Sequence, residues 1–184
     1  MLQGWPWSSP ASAISGTEMR RLVLAGGITF AADQLSKLGV IHLVGLRERG
    51  EVDVIDPLLN FRWAENRGVN FGLLSNDAEL TRWALIALAL AISVWVVMWV
   101  RREAMGRWAE ISAGLLVGGA LGNVTDRIFQ SEKAVADFLN MSCCGIENPF
   151  SFNVADIAIF AGALGLVLFA GGAGKPGKPT RSKR

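Results

Sequence analysis

Long apolar runs separated by short polar stretches dominate the chain, and four of the runs are helix-sized: Leu22–Leu46, Trp83–Val100, Trp108–Phe129 and Val154–Ala173. A bilayer core takes about 17–25 predominantly apolar helical residues. The second run carries no charge from Trp83 to Val100, and the other three carry charges at or near one end. Four soluble core helices of this kind would leave almost no chain to cover them. The pattern therefore predicts an all-α membrane protein with four transmembrane helices. The connection Gly45–Thr81 is long for a helical bundle. In it Leu59, Phe61 and Trp63 alternate, then Val69, Phe71 and Leu73, with Asn66-Arg67-Gly68 between them. That spacing predicts two short strands around a turn, a small β element in the first outer loop. Asn76 with Glu79 three residues on resembles a capping box opening the second helix.

Composition and charge sharpen this picture. Apolar residues make 51% of the 184 positions, glycine adds 21 residues, and charged residues fall to 18%, below the usual quarter or so. Widespread disorder and an ordinary water-soluble domain are both disfavoured. The net charge of +2 gives no reason to expect nucleic acid as a partner. The segments before the first run, between the second and third, and after the fourth sum to +7, and the opposite side sums to −5. The positive-inside rule then places both termini in the cytoplasm. Trp83, Trp95, Trp99 and Trp108 lie near segment ends, as an interfacial aromatic belt would. Residues 1–18 lack the charged start and apolar core of a cleavable signal peptide and read as an N-terminal extension, with Met19-Arg20-Arg21 a plausible alternative start. Residues 19–173 form the membrane domain, and 174–184 a basic cytoplasmic tail.

Ionisable groups inside membrane helices are costly, and they pair internally or serve function. Asp33 and Lys37 are four apart on one helix face, either a neutralising pair or a substrate contact. Asn123, Asp126 and Arg127 share a face of the third helix, where Asp126 and Arg127 read as an ion pair bracing the helix end. Asn153 and Asp156 align in the first turn of the fourth, where the helix dipole favours a carboxylate. Gly114, Gly118 and Gly122 permit close helix approach, which is ordinary packing. Asp137, in the second loop four residues after Lys133, and Asp156, at a helix start, have no obvious basic partner on a helix, and each sits beside apolar residues. Two readings of them stand open: solvated surface acids, or a pair that meets and shares a proton. Cys143 and Cys144 are adjacent, poorly placed for a disulfide with each other, and read as idle thiols. His42 is the single histidine, which excludes a His-Glu-x-x-His zinc protease and leaves a serine protease without an evident triad. No His or Cys cluster has metal spacing, so neither metal nor other cofactor is expected.

Four blocks resemble the lipoprotein signal peptidase (signal peptidase II) family. Asp33-Gln34-Leu35-Ser36-Lys37 is similar to its D-Q-x-x-K, and Asn66-Arg67-Gly68-Val69-Asn70-Phe71-Gly72 to N-x-G-x-x-F-G. The run from Gly118 to Arg127 is similar to G-G-A-x-G-N-x-x-D-R and is followed by Val135-Ala136-Asp137-Phe138, similar to V-x-D-F. Phe152-Asn153-Val154-Ala155-Asp156-Ile157-Ala158-Ile159 is similar to F-N-x-A-D-x-x-I. Val69 and Asn70 depart from the small apolar residues many members carry there. The resemblance, over about Met19–Gly172, implies a bacterial inner-membrane aspartic endopeptidase. Such an enzyme removes the signal peptide of prolipoproteins just before a diacylglyceryl-modified cysteine, with no metal. It implies Asp137 and Asp156 as the catalytic pair, at the outer leaflet. It implies supporting or substrate-binding roles for Asn66, Gly68, Phe71, Asn123, Arg127 and Asn153, with Asp33 and Lys37 behind them. The expected partners are the lipid-modified precursor and membrane lipid, and the expected state is a monomer. A proton-coupled transporter would place its acids nearer the midplane and show repeats. A plain membrane scaffold would not explain two unpaired aspartates.

Overall fold

A computed structural model describes residues 16–56, 58–68, 78–103, 105–142 and 148–172. Helix α1 (Gly16–Leu38) runs into a π turn, Gly39–Leu43, and a short helix α2 (Leu46–Arg49) follows. Strands β1 (Glu51–Ile55) and β2 (Leu59–Asn66) lead to α3 (Ala78–Arg102) and α4 (Arg107–Phe129). Strand β3 (Val135–Asn140) and α5 (Val154–Phe169) complete the order, with a 3-10 turn at Ala170–Gly172. The four helix-sized runs thus form helices. The Val69–Leu73 strand, Phe71, Asn76, the cysteine pair and most of both terminal segments lie outside the described residues.

The β element differs from expectation. It is a three-stranded antiparallel sheet, ordered β1-β2-β3, not confined to the first loop. Leu59–Asn66 is a strand as the alternation predicts, but its near neighbour is Glu51–Ile55, with Val52 opposite Phe61. On its other edge it takes Val135–Asn140 from the second loop, with Ala64 opposite Asp137 and Asn66 opposite Val135. Val135–Asn140 is covered on both faces, so it shows no apolar/polar alternation to read.

Helix α4 is the centre of the bundle, packed along α1 and α5, with α3 against a third side. Glycine makes this possible. A Cβ on Gly114 would sit 2.5 Å from the Leu22 carbonyl oxygen, and one on Gly162 2.5 Å from that of Ser112. Both would collide with backbone, so the helices approach only because those side chains are absent. One apolar cluster gathers Leu22, Val96, Val100, Ala109, Ala113, Leu116 and Leu166. A second joins Val40, Leu46 and Phe138, with Phe61 and Trp63 against it. Along α1, Asp33 and Lys37 fall between the two.

The helices are apolar outside as well as inside. Ile28, Leu35, Trp95, Phe160, Val167 and Leu168 are all more than 60% exposed, the reverse of a water-facing surface. Among the described residues one helix, Glu79–Arg102, has both the length and the composition to cross a membrane, with mean hydropathy 2.4. Val154–Phe169 is apolar but shorter. Helices α1 and α4 fall short on composition because each carries ionisable residues, Asp33 and Lys37 in one and Glu110, Asp126 and Arg127 in the other.

Candidate active site

Asn153 opens α5 as its N-cap in extended backbone. Its Oδ1 accepts from the Asp156 N–H at 2.9 Å, and its own N–H donates to Asp156 Oδ2 at 3.2 Å. This reciprocal box satisfies two otherwise orphaned donors at the helix start. It also fixes the Asp156 carboxylate against the first turn, where the dipole favours negative charge. With Oδ1 spent on the cap, the Asn153 amide nitrogen points the other way. It donates to Asp137 Oδ1 at 2.6 Å and to Asn123 Oδ1 at 3.3 Å. Asn123, on α4, donates from Nδ2 to Asp156 Oδ1 at 3.0 Å. Asp137 and Asp156 are thus joined through two asparagines.

Strand β3 brings Asp137 in from the side. Its side chain is 3% exposed, and Asn66 hydrogen-bonds it from the neighbouring strand. Asn66 ends β2 in a turn, its Oδ1 accepting from the Gly68 N–H at 3.0 Å. Gly68 has φ +77°, and a Cβ there would run into Leu85 of α3. The positive φ favours glycine, and any larger residue would also have to displace the Leu85 side chain. Burial, reinforced by the negative charge of Asp156, pushes the Asp137 carboxyl up to about 7, against the opposing hydrogen bonds from Asn66 and Asn153. Arg127 donates to the Asn123 carbonyl oxygen at 3.2 Å and lies within electrostatic reach of Asp137, Asp156 and Asp126.

The structure therefore brings Asp137, Asp156, Asn66, Asn123, Arg127 and Asn153 together, with Gly68 shaping the turn that presents Asn66. Asp33 and Lys37 pair as their spacing predicts, 2.7 Å apart and both buried. The expected Asp126–Arg127 pair does not form. Residues adjacent in a helix point about 100° apart. Asp126 turns inward instead and meets Lys37 at 2.6 Å. Gln34 joins this group, donating to Asp33 Oδ2 at 3.1 Å and Asp126 Oδ1 at 3.0 Å. The links from Lys37 and Gln34 to Asp126 are not readable from helical spacing, because they join two helices. The one signal was an amide beside an acid in an otherwise apolar run. Asp33 also reaches α5, its Oδ1 accepting from the Ala155 N–H at 3.0 Å.

The fold is shared with solved proteins described as bacterial membrane enzymes. It superposes on one solved by the in meso method at 2.3 Å with a TM-score of 0.67 and 23% identity, over 88% of this chain and 94% of that one. A second, solved at 1.9 Å, gives 0.68 and 24% identity over 80% and 90%. The model of the signal peptidase (SPase) II family matches residues 26–170. The chain is 41% identical to the lipoprotein signal peptidase of Rhizorhabdus wittichii over 144 residues, 78% of this chain and 81% of that protein. It is 40% identical to that of Methylobacterium radiotolerans over 152 residues, covering 83% and 86%. The chain belongs to the signal peptidase II family, a family of aspartic peptidases.

Proposed function

We propose that the protein removes the signal peptide from bacterial prolipoproteins, cutting just before the diacylglyceryl-modified cysteine, with Asp137 and Asp156 as its catalytic dyad. The observation that carries this reading is the asparagine bridge, which ties the buried Asp137 carboxylate and the half-buried Asp156 carboxylate, from different elements, into one hydrogen-bonded unit. Peptide hydrolysis needs a base for water and an acid for the leaving amine. Two neighbouring carboxylates do not both ionise readily, so the pair keeps one proton near neutral pH. The ionised member takes a proton from water as the oxygen attacks the scissile carbonyl. The neutral member donates a hydrogen bond to the carbonyl oxygen, and as the C–N bond breaks the carboxyl that took the water proton delivers it to the leaving nitrogen. The proton belongs to the pair. Arg127 and the Asn66 turn flank the dyad, where donors can hold the substrate backbone.

Helices α1, α3, α4 and α5 each cross the inner membrane in this reading. The apolar exteriors and the charge difference between the two sides support four spans with both termini cytoplasmic. The buried charge in α1 and α4 lowers their hydropathy without facing lipid, since Asp33, Lys37 and Asp126 pair with one another inside the bundle. Asp137 then sits at the outer leaflet, where a diacylglyceryl substrate keeps its acyl chains in the bilayer while its peptide bond meets the dyad. The first outer loop, Phe71 included, helps to hold that substrate. The enzyme acts as a monomer on a lipid-modified precursor, without nucleic acid or cofactor. Residues 19–173 are the catalytic unit. The test is cleavage by purified enzyme in lipid of a diacylglyceryl-modified precursor beside its unmodified form, with and without chelator. Cleavage of the modified form alone, unaffected by chelator, is expected. Equal cleavage of both forms would remove the lipid from recognition, and loss in chelator restored by added metal would remove the two-aspartate mechanism.

A further inference from the structure

Behind the dyad lies a buried ionic group whose chemistry reaches forward through a single amide. Lys37 is 2% exposed, and Asp33 and Asp126 are 0% and 1% exposed. The ammonium lies 2.7 Å from Asp33 Oδ2, 2.6 Å from Asp126 Oδ2 and 3.4 Å from Asn123 Oδ1. An ammonium has three donors and no acceptor: Lys37 donates to Asp33 Oδ2 and Asn123 Oδ1 and forms an ion pair with Asp126. Gln34 clamps the two carboxylates together, and its nitrogen also faces the Gly122 carbonyl at 3.4 Å. Gly122 leaves the room: a Cβ there would sit 2.5 Å from Asp33 Oδ2.

Asn123 is where this group meets the site. Its amide has one accepting end and one donating end. The accepting end faces two donors, Lys37 Nζ and Asn153 Nδ2, and the donating end faces the Asp156 carboxylate. Rotating the amide by half a turn would set oxygen against carboxylate oxygen and an NH2 group against both an ammonium and another NH2. All three favourable contacts would become unfavourable together. Asn153 cannot relieve this by turning, because its own oxygen is held by the Asp156 N–H.

We propose that Lys37 is a positioning residue that acts through Asn123: by holding Oδ1 it fixes the N–H end of that amide on Asp156 throughout turnover. Asp33, Asp126 and Gln34 serve to hold the ammonium there. The inference rests on the dyad reading above, and it predicts a particular pattern of coupling. A purely electrostatic Lys37 would act through its charge, whatever occupies position 123. A positioning Lys37 acts through its hydrogen bond, and only while Asn123 is present.

The experiment compares Lys37→Met with Lys37→Gln, both neutral and of similar length, on the diacylglyceryl-modified precursor. Lys37→Met is expected to lower kcat about 100-fold, with KM within about twofold. Lys37→Gln, which still offers an N–H to Asn123, is expected to recover at least about tenfold of that loss. In an Asn123→Ala background the Met and Gln variants should turn over alike. Equal losses for Met and Gln in the native background overturn the proposal, as does a Met–Gln difference that persists without Asn123. If Lys37→Met fails to insert, both variants are made with Asp126→Asn, which returns the group to the net charge of −1 it has natively, and the same comparison decides. Wild-type cleavage by Asp137→Asn or Asp156→Asn would remove the dyad itself, whereas a required dyad with equal Met and Gln losses removes only this role of Lys37.

Discussion

Asn153 closes a helix cap with its oxygen and bridges to Asp137 and Asn123 with its nitrogen. The two roles separate by substitution. Serine is as good an N-cap as asparagine but has no amide to reach Asp137. Asn153→Ser should therefore keep its melting temperature close to wild type while kcat falls about 10–100-fold, as thermal unfolding in detergent and precursor cleavage would record. Comparable loss of stability and turnover would make Asn153 a cap and nothing more. Asp137 gives a second prediction. Its carboxyl is raised from 3.8 to about 7 in the folded protein, so between those values the folded state holds a proton that the unfolded state has released. Its contribution to stability is full below the unfolded value and is lost as pH rises through about 7. Asp137→Asn, which cannot ionise, should melt above wild type at pH 8 and lose that advantage below the transition. Turnover of the wild type should decline as pH rises through about 7, where the folded dyad loses its shared proton. A melting difference independent of pH would contradict a dyad that holds a proton up to about pH 7 in the folded protein.

The helical elements depend on close backbone approach, which can be measured directly. Gly118 on α4 faces the Gly26 backbone of α1, where a Cβ would sit 2.9 Å from the Gly26 Cα. Gly118→Ala should destabilise the protein by about 1–3 kcal/mol, the usual cost of overpacking, and Gly118→Leu should prevent folding. An alanine variant that unfolds like wild type would mean that α1 and α4 lie farther apart. This contact was legible, because Gly114, Gly118 and Gly122 recur at helical spacing. So was Asp33–Lys37, an i,i+4 pair. Lys37–Asp126 was not, since spacing rules speak only of neighbours on one helix and this pair spans two. The sheet shows the same limit. Leu59–Trp63 announced a strand by alternation, and Glu51-Val52-Asp53-Val54 alternates too, but the Asn66-Arg67-Gly68 turn drew the expected hairpin downstream. Val135–Asn140 gave no period at all, and its partner on β2 lies some seventy residues earlier. The proposed catalytic pair stood out in sequence as two acids beside apolar residues, while its connection through Asn123 and Asn153 required the fold.

At the scale of the whole molecule, an ionic interior is wrapped in apolar helices and set beside a small sheet that delivers one aspartate to the other. In the proposed reading the catalytic unit is contained in residues 19–173. A chain lacking residues 1–18 should insert and cleave at the wild-type rate, and one lacking the basic tail should keep its intrinsic rate while a smaller share of molecules is correctly oriented. A truncated enzyme that inserts and binds precursor without cutting it would show that the unit is larger. The central claim is that Asp137 and Asp156 act as one dyad, and the most direct measurement is single-turnover cleavage of a diacylglyceryl-modified precursor by Asp137→Asn, Asp156→Asn and the double variant, each first shown to be folded in lipid. Each single variant should lose at least about 1,000-fold, and the double should lose no more than either alone, because members of a catalytic unit are not additive. Cleavage near the wild-type rate by either single variant, or losses that multiply in the double, would contradict the account.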